Sequence, residues 1–312
     1  MRAVGVMEFG GPEALQVVDL PERHAGPGEM RLRVHAATVN PTDTYTRNGA
    51  RAELLRKFPP PYVPGMDAAG VLDEIGDGVE TDLRVGDRVM AIVVPHGSHG
   101  AYAESLVVPA GSVAAAPAGT THAEASTLPM NGLTARLALD QLGVQPGGTV
   151  AVTGAAGAFG GYTVQLAVAD GLRVIADASG SDEELVRSLG AHVVVRRGDD
   201  VAERIREVAP DGVDGLIDGA VQNELVIPAV RDGGGFATVR GYRGEPVRDI
   251  VFHQVWVRDY AENRAELDRL RALTETGRIT LRVARTFAPA DAGEAHRLLE
   301  AGGTRGRLVI EF

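Results

Sequence analysis

The residues whose types and spacing point most directly to chemistry are Thr149-Val150-Ala151-Val152-Thr153-Gly154-Ala155-Ala156-Gly157-Ala158-Phe159-Gly160. An apolar strand pattern runs into a turn of glycine and alanine, and a helical pattern follows. Side chains this small let a backbone approach a pyrophosphate, whose charge meets the unpaired N–H groups of the helix N-terminus. Gly154 opens the turn, Ala155 to Phe159 form its wall, and Gly160 permits close packing of helix on strand. Ala155 stands where the fingerprint ordinarily has its first glycine, so the context has to carry the motif.

That context is present. The next strand, LRVIADA, ends near Asp177, where a carboxylate can bond a ribose 2′-hydroxyl and repel a 2′-phosphate. Arg196 and Arg197 close the strand after it and could reach a phosphate across the same crevice. The first favours NAD(H) and the second NADP(H); the residues leave both open.

Other chemistries are narrowed by composition. The chain has 312 residues and no cysteine, which removes thiolate zinc sites, disulfides and cysteine nucleophiles. The eight histidines show no ligand spacing, so no metal site is expected. A net charge of −11 repels polyanions and argues against nucleic-acid partners. No apolar run has the length of a membrane span, and the N-terminus reads as a strand, which together suggest a cytoplasmic protein.

The elements that must position these residues fall into two patterns. Over residues 1–120, RLRVHAATVN, AAGVLDEIG and GDRVMAIVV read as strands separated by glycine turns, a compact β-rich unit. Over 121–257, strand and helix alternate, which predicts an α/β, doubly wound parallel sheet. One helix is expected across HAEASTLPMNGLTARLALDQLG, and Ser181 with Glu184 forms a capping-box start for another. The last strand, GRLVIEF, could complete the first domain, so 258–312 joins 1–120. The apolar RDIVFHQVWV (248–257) reads as an exposed sheet edge and predicts a homodimer by edge pairing.

With these pieces in place, the chain resembles the quinone oxidoreductase-like branch of the medium-chain dehydrogenase/reductase superfamily. The resemblance runs nearly end to end through VNPTDTYTRNG (39–49), VPGMDAAGVLDEIG (63–76), VGDRVMA (85–91), GAYAE (100–104), LPMNGLTA (128–135), TVAVTGAAGAFG (149–160), LVRSLGA (185–191), AHRLLEAG (295–302) and GRLVI (306–310). It implies a GroES-like β-rich catalytic domain plus a Rossmann domain, with the site in the cleft. Zinc-dependent members hold their metal at places that look here like Asp43 and Met66-Asp67, so the resemblance is to the zinc-free members.

The resemblance also assigns roles. Asn40, Asp43 and Tyr45 match the N-x-x-D-x-Y segment facing the nicotinamide. Tyr45 is the candidate hydrogen-bond donor, with Asn40 orienting it or the substrate and Asp43 ordering the loop. The residues leave open whether the proton comes from Tyr45 or from water. Thr134 matches a position near the nicotinamide or its ribose, Gly241 a close approach of the chain to the cofactor, and Arg305 to Arg307 a C-terminal segment beside it. NADPH is the branch's default, yet the lysine of its Ser-x-x-Lys element is missing after Ser179. The expected activity is metal-free, NAD(P)H-dependent reduction of a quinone, enone or similar small molecule. An enoyl-thioester or ketone reductase on the same scaffold, or a non-catalytic NADPH-binding protein like the crystallin relatives, is the alternative. Tyr62 and Tyr102 are weaker donor candidates, Tyr102 being expected to cover the barrel with its ring. His96 and His99 are expected as exposed loop residues.

Overall fold

The structure, a computed structural model, describes all 312 residues. The chain divides into two compact units, Met1–Met130 with Ala261–Glu275 and Leu281–Phe312, and Asn131–Tyr260 with Thr276–Thr280. The first boundary therefore falls at Met130/Asn131 rather than at 120/121.

The first unit starts with an antiparallel pair, β1 (Arg2–Val6) and β2 (Leu15–Asp19). The ten-residue β3 (Glu29–Thr38) follows, and its alternating buried positions mark one face turned to the core. Next come α1 (Pro41–Asn48), α2 (Ala52–Leu55), β4 (Asp67–Ile75), β5 (Arg88–Ile92), β6 (Ser105–Pro109), β7 (Val113–Ala115) and α3 (His122–Ser126). Thr121 caps α3, accepting from the Glu124 N–H while the Glu124 carboxylate accepts from the Thr121 N–H. The helix expected from His122 onward is thus broken. α3 ends by Ser126, and a new helix begins at Pro129, whose ring fits a first helical turn.

The second unit is built from α4 (Pro129–Leu142) beyond its first two residues, β8 (Thr149–Thr153), α5 (Ala158–Ala169), β9 (Arg173–Ala178), α6 (Glu183–Ser188), β10 (Val193–Arg196), α7 (Val201–Val208), β11 (Val213–Asp218), β12 (Val230–Thr238) and β13 (Val251–Gln254). Its six strands are all parallel in the order β10-β9-β8-β11-β12-β13. The order reverses between β8 and β11, and that switch point opens a crevice at their carboxyl ends. α5 is buried from Gly160 to Ala167, as expected of an apolar helix on such a sheet. The capping box expected at Ser181 does not form. α6 starts one residue after Asp182, and the Ser181 hydroxyl instead lies 3.0 Å from that of Ser179. β13 is the edge strand, with Val251 54% exposed.

The chain then returns to the first unit through α8 (Arg264–Glu275), β14 (Val283–Phe287), α9 (Ala292–Ala301) and β15 (Arg307–Glu311). β15 pairs antiparallel with β3, so the final strand does close the first sheet, in the order β14-β15-β3-β4-β5-β7 with β6 also on β3. Met30, Leu32, Leu72, Val89, Tyr102 and Leu308 are among the side chains of its core.

Candidate active site

In the second unit the turn after β8 has the shape the sequence requires. Gly154 has φ +67°, a left-handed conformation, and Gly157 is the residue before α5. No side chain caps that helix start, so its first N–H groups remain for a ligand's oxygens. A Cβ on Gly160 would lie 2.3 Å from the Gly154 carbonyl oxygen, so only glycine lets α5 pack this close to the turn. On the β11 side, Thr153 Oγ1 donates to Asp218 Oδ1 at 2.7 Å and accepts from the Ala220 N–H at 3.2 Å, which ties the two strand ends together.

Asp177 is 3% exposed, and its Oδ1 accepts from the Ala155 N–H at 3.1 Å. The carboxylate supports the turn from beneath. Burial raises its pKa, while the bonds from Ala155 and Gly154 and the charge of Arg197 pull it down. Ser179 donates to Asp182 Oδ2 at 2.5 Å. The exposed Arg196 carries its guanidinium over the same segment, with Nη1 3.2 Å from where a Cβ on Gly180 would sit. Thr134 is 7% exposed on α4, and Gly241 follows β12 with φ +75° beside the Trp256 ring. A cavity of about 540 Å³ in this unit lies at the other, amino ends of β8, β11 and β12, bordered by Gly148, Asp214 and His253, and holds none of these residues.

In the first unit the expected residues sit in a buried polar network. Asn40, fully buried, precedes α1, and Asp43 reaches back so that its Oδ2 accepts from the Asn40 N–H at 2.7 Å. Asp43 Oδ1 accepts from the Gly65 N–H at 3.0 Å, and its Oδ2 accepts from the Tyr102 hydroxyl at 3.0 Å. Gly65 has φ +100°, and a Cβ there would lie 2.6 Å from Tyr102 Cδ1, so the glycine lets both contacts coexist. Asp43 is 1% exposed. Burial, the largest cause, and the charge of Asp67 outweigh the bonds from Asn40, Gly65 and Tyr102, and together they leave its pKa pushed up to about 7. Three donors on one carboxylate make Asp43 the anchor of α1. Tyr45, on the same helix, is half-buried with the Arg51 guanidinium 5.9 Å from its ring centre.

The Asn40 side chain is committed too. Its Nδ2 donates to Asp67 Oδ1 at 2.9 Å and its Oδ1 accepts from Arg307 Nη2 at 2.5 Å. Thr38 donates to Asp67 Oδ1 and accepts from Arg307 Nη2 at 2.8 Å. Arg307, expected beside the cofactor, is 4% exposed and stands 3.7 Å from Asp67 Oδ2. Its position on β15, paired with β3, directs the guanidinium into this network. Arg305, two residues earlier and half-buried, donates to the Thr304 carbonyl at 3.4 Å.

Sequence reasoning passed over several members of this network. Tyr102, read as a ring covering the barrel, uses its hydroxyl on Asp43 and on His296 Nε2 at 3.2 Å. His296 is fully buried, and Arg47 lies beyond it with Nη1 3.5 Å from Nδ1. Burial and the charge of Arg47 push His296 down to about 3. No local pattern marks these residues, because they come from α1, the segment after β5 and α9. His96 is exposed as expected, but His99 is half-buried, its Nε2 2.6 Å from the Val107 carbonyl.

Comparison with known proteins now has something to attach to. Residues 26–118 match the alcohol dehydrogenase GroES-like domain, and residues 189–310 match the zinc-binding dehydrogenase family. Rat quinone oxidoreductase is 31% identical, over 99% of this chain and 97% of its own. The chain belongs to the quinone oxidoreductase-like branch of the medium-chain dehydrogenase/reductase superfamily. A 2-haloacrylate reductase from Burkholderia sp is 32% identical over 99% of this chain and 98% of its own. Among solved structures, an NAD-dependent alcohol dehydrogenase superposes with a TM-score of 0.88 at 31% identity, each chain covered over 100%. A mycobacterial protein complexed with NADPH gives 0.85 at 29%, also over 100% of each.

The zinc in one matching family's description finds no fit here. The two places that resemble its ligand positions are Asp43, saturated by three donors, and Asp67, which faces Arg307 and also accepts from Thr38 and Asn40. An arginine in that position repels a cation. No group of three or more His, Cys, Asp or Glu side chains has a geometry that could hold a metal ion. A nicotinamide dinucleotide does fit, in the uncapped glycine cradle at the switch point. No helix is long and apolar enough to cross a membrane. The family membership makes the protein an oxidoreductase.

Proposed function

We propose that this oxidoreductase uses NADPH to reduce a small molecule whose double bond is activated by a neighbouring carbonyl, an enone or a quinone. The observation that carries the cofactor half is the placement of Arg196 over the Gly180 turn, with Asp177 facing inward to Ala155. A 2′-phosphate there would meet a guanidinium, which pairs with phosphate through a fork of donors. The Ser179 hydroxyl, in the same segment, is a second contact of this reading once its proton turns from Asp182 to the phosphate. Ala155 to Gly160 hold the pyrophosphate, and Thr134, Gly241 and Arg305 are the remaining contacts of this reading.

Bound NADPH supplies the hydride. The chain's own task is to stabilise the charge that develops on the substrate oxygen and to deliver a proton. Tyr45 is the donor in this reading. Asn40 and Asp43 act on it indirectly, since their polar atoms are taken up by Asp67, Arg307, Gly65 and Tyr102 and they fix the helix that carries the tyrosine. The relative described as a 2-haloacrylate reductase acts, by its name, on an activated carbon–carbon double bond, which supports this substrate class.

Titration calorimetry with NADPH and NADH, alongside turnover of a simple quinone and an enone, tests the reading. NADPH is expected to bind at least about tenfold tighter, and Arg196→Ala to remove most of that preference, a charge-assisted pair being worth about 1.5–3 kcal/mol. Tyr45→Phe is expected to lower kcat with little change in KM. Tighter NADH binding would reverse the cofactor assignment, and binding of neither would end the reductase reading.

A further inference from the structure

We infer that Arg47 disfavours a proton on the Asp43 carboxyl through a one-way hydrogen-bond relay across His296 and Tyr102, which makes these three positioning residues for α1. The polarity follows from what each group can do. A guanidinium has donors only. With Arg47 Nη1 3.5 Å from His296 Nδ1, that ring nitrogen must present its lone pair, so the ring proton sits on Nε2. Nε2–H then donates to the Tyr102 oxygen at 3.2 Å, and the tyrosine gives its single proton to Asp43 Oδ2 at 3.0 Å. Arg47 itself is held from outside by Glu300, with Nη2 2.6 Å from Oε1 and Nη1 3.2 Å from Oε2.

A proton on Asp43 has nowhere to go in this arrangement. Oδ1 faces the Gly65 N–H, and Oδ2 faces the Asn40 N–H and the Tyr102 hydroxyl, all of them donors. To accept from a protonated Asp43, Tyr102 would have to turn its own proton to His296 Nε2. His296 would then carry its proton on Nδ1, directly against Arg47. The relay blocks that reversal at its far end.

Other charges act on the same carboxyl. Asp67 on β4 favours protonation of Asp43, and Arg307 on β15 partly offsets Asp67. His296 stays neutral across the working range, and Glu300 on α9 is 40% exposed at the outer end. Without the relay, less opposes burial and Asp67, and Asp43 takes up a proton more readily. The anchor bonds to Asn40 and Gly65 would weaken, and with them the placement of Tyr45. The consequence for rate rests on the reductase reading above; the protonation state does not.

The test is a carbon-13 NMR titration of the Asp43 carboxyl in the full chain, with Asp43→Asn as the assignment blank. Arg47→Gln, whose amide oxygen can accept from Nδ1–H, is expected to raise the midpoint by about one pH unit, a tenfold gain in proton affinity. Arg47→Lys keeps charge and donors and is expected to leave it in place. In a Tyr102→Phe background, Arg47→Gln should add no further shift. If Arg47→Gln does not fold, Glu300→Gln, altered at an exposed position, should shift the midpoint the same way by a smaller amount. An unmoved midpoint in both variants overturns the inference. So does an equal shift in the Tyr102→Phe background, because the effect is then the field of Arg47 and not a relay. Turnover with NADPH across pH then separates the claims: an inactive wild type with the expected titration sinks the reductase reading alone.

Discussion

The first unit gathers its polar groups from β3, β4, α1, α9, β15 and the segment after β5, and bonds them to one another. In the second, one continuous stretch ends at the start of α5, which no side chain caps. In the first, Thr38, Asn40, Asp43, Asp67, Tyr102, His296 and Arg307 are all at most 4% exposed, and Asp67 faces the counter-charge of Arg307. In the second, no side chain caps α5, and glycine keeps the way clear. The difference teaches where function is stored. One region depends on groups being present, the other on groups being absent, and they should fail differently.

Removing a partner from the first network should have the largest effect on stability. Arg307→Met leaves Asp67 buried without its counter-charge, and breaking such a pair typically costs about 3–5 kcal/mol. Urea unfolding should show a loss of that order, and Asp67→Asn combined with Arg307→Met should recover part of it. NADPH affinity of the folded variant is expected to stay within about twofold, since the guanidinium is spent on Thr38, Val39 and Asn40. A large loss of affinity without a loss of stability would return Arg307 to the cofactor.

The same contrast explains what the sequence made legible. A βα turn is local, so Thr149 to Gly160 announced the cradle, and alternating strand and helix patterns announced the parallel sheet around it. GRLVIEF could be placed on the first sheet because it reads as a strand beyond the last helix. The buried network depends on pairs such as Arg47 with His296 and Asn40 with Arg307, which lie hundreds of positions apart and obey no spacing rule. Arg307 reads as a cofactor contact because the resemblance sets the C-terminal segment beside the dinucleotide; pairing of β15 with β3 turns it inward. The Ser181 capping box failed for a local reason. Ser179 and Asp182 pair first, and α6 starts a residue later than the pattern suggests.

Adding an atom to the second unit should do what removing one does to the first. A Cβ on Gly160 would lie 2.3 Å from the Gly154 oxygen, 2.7 Å from its carbon and 2.8 Å from the Ala155 Cα. All three are backbone, so nothing flexible can give way. Gly160→Ala is expected to cost about 1–3 kcal/mol of stability through overpacking. Because the displaced turn is the cradle itself, calorimetry should also show NADPH binding weakened by more than tenfold. Full affinity in Gly160→Ala would mean that the turn can move without consequence, and the cradle reading would lose its basis.

The smallest expected effect is also the one that best separates two accounts of a single residue. The place of Asp177 at the end of LRVIADA suits a ribose ligand, but its Oδ1 accepts from the Ala155 N–H and the residue is 3% exposed. An asparagine keeps an oxygen that can accept from the same N–H. Burial already raises the pKa of the carboxyl, so loss of the charge removes little that the fold was using. If Asp177 is a prop beneath the turn, Asp177→Asn should change stability by no more than about 1 kcal/mol, the net worth of a typical hydrogen bond. The ratio of NADPH to NADH affinity should then stay fixed. If the carboxylate instead turns outward to a ribose when a dinucleotide binds, NADH should weaken far more than NADPH, because only the 2′-hydroxyl donates to it. A tenfold change in that ratio would assign Asp177 to the ligand, and an unchanged ratio leaves discrimination to Arg196 and Ser179.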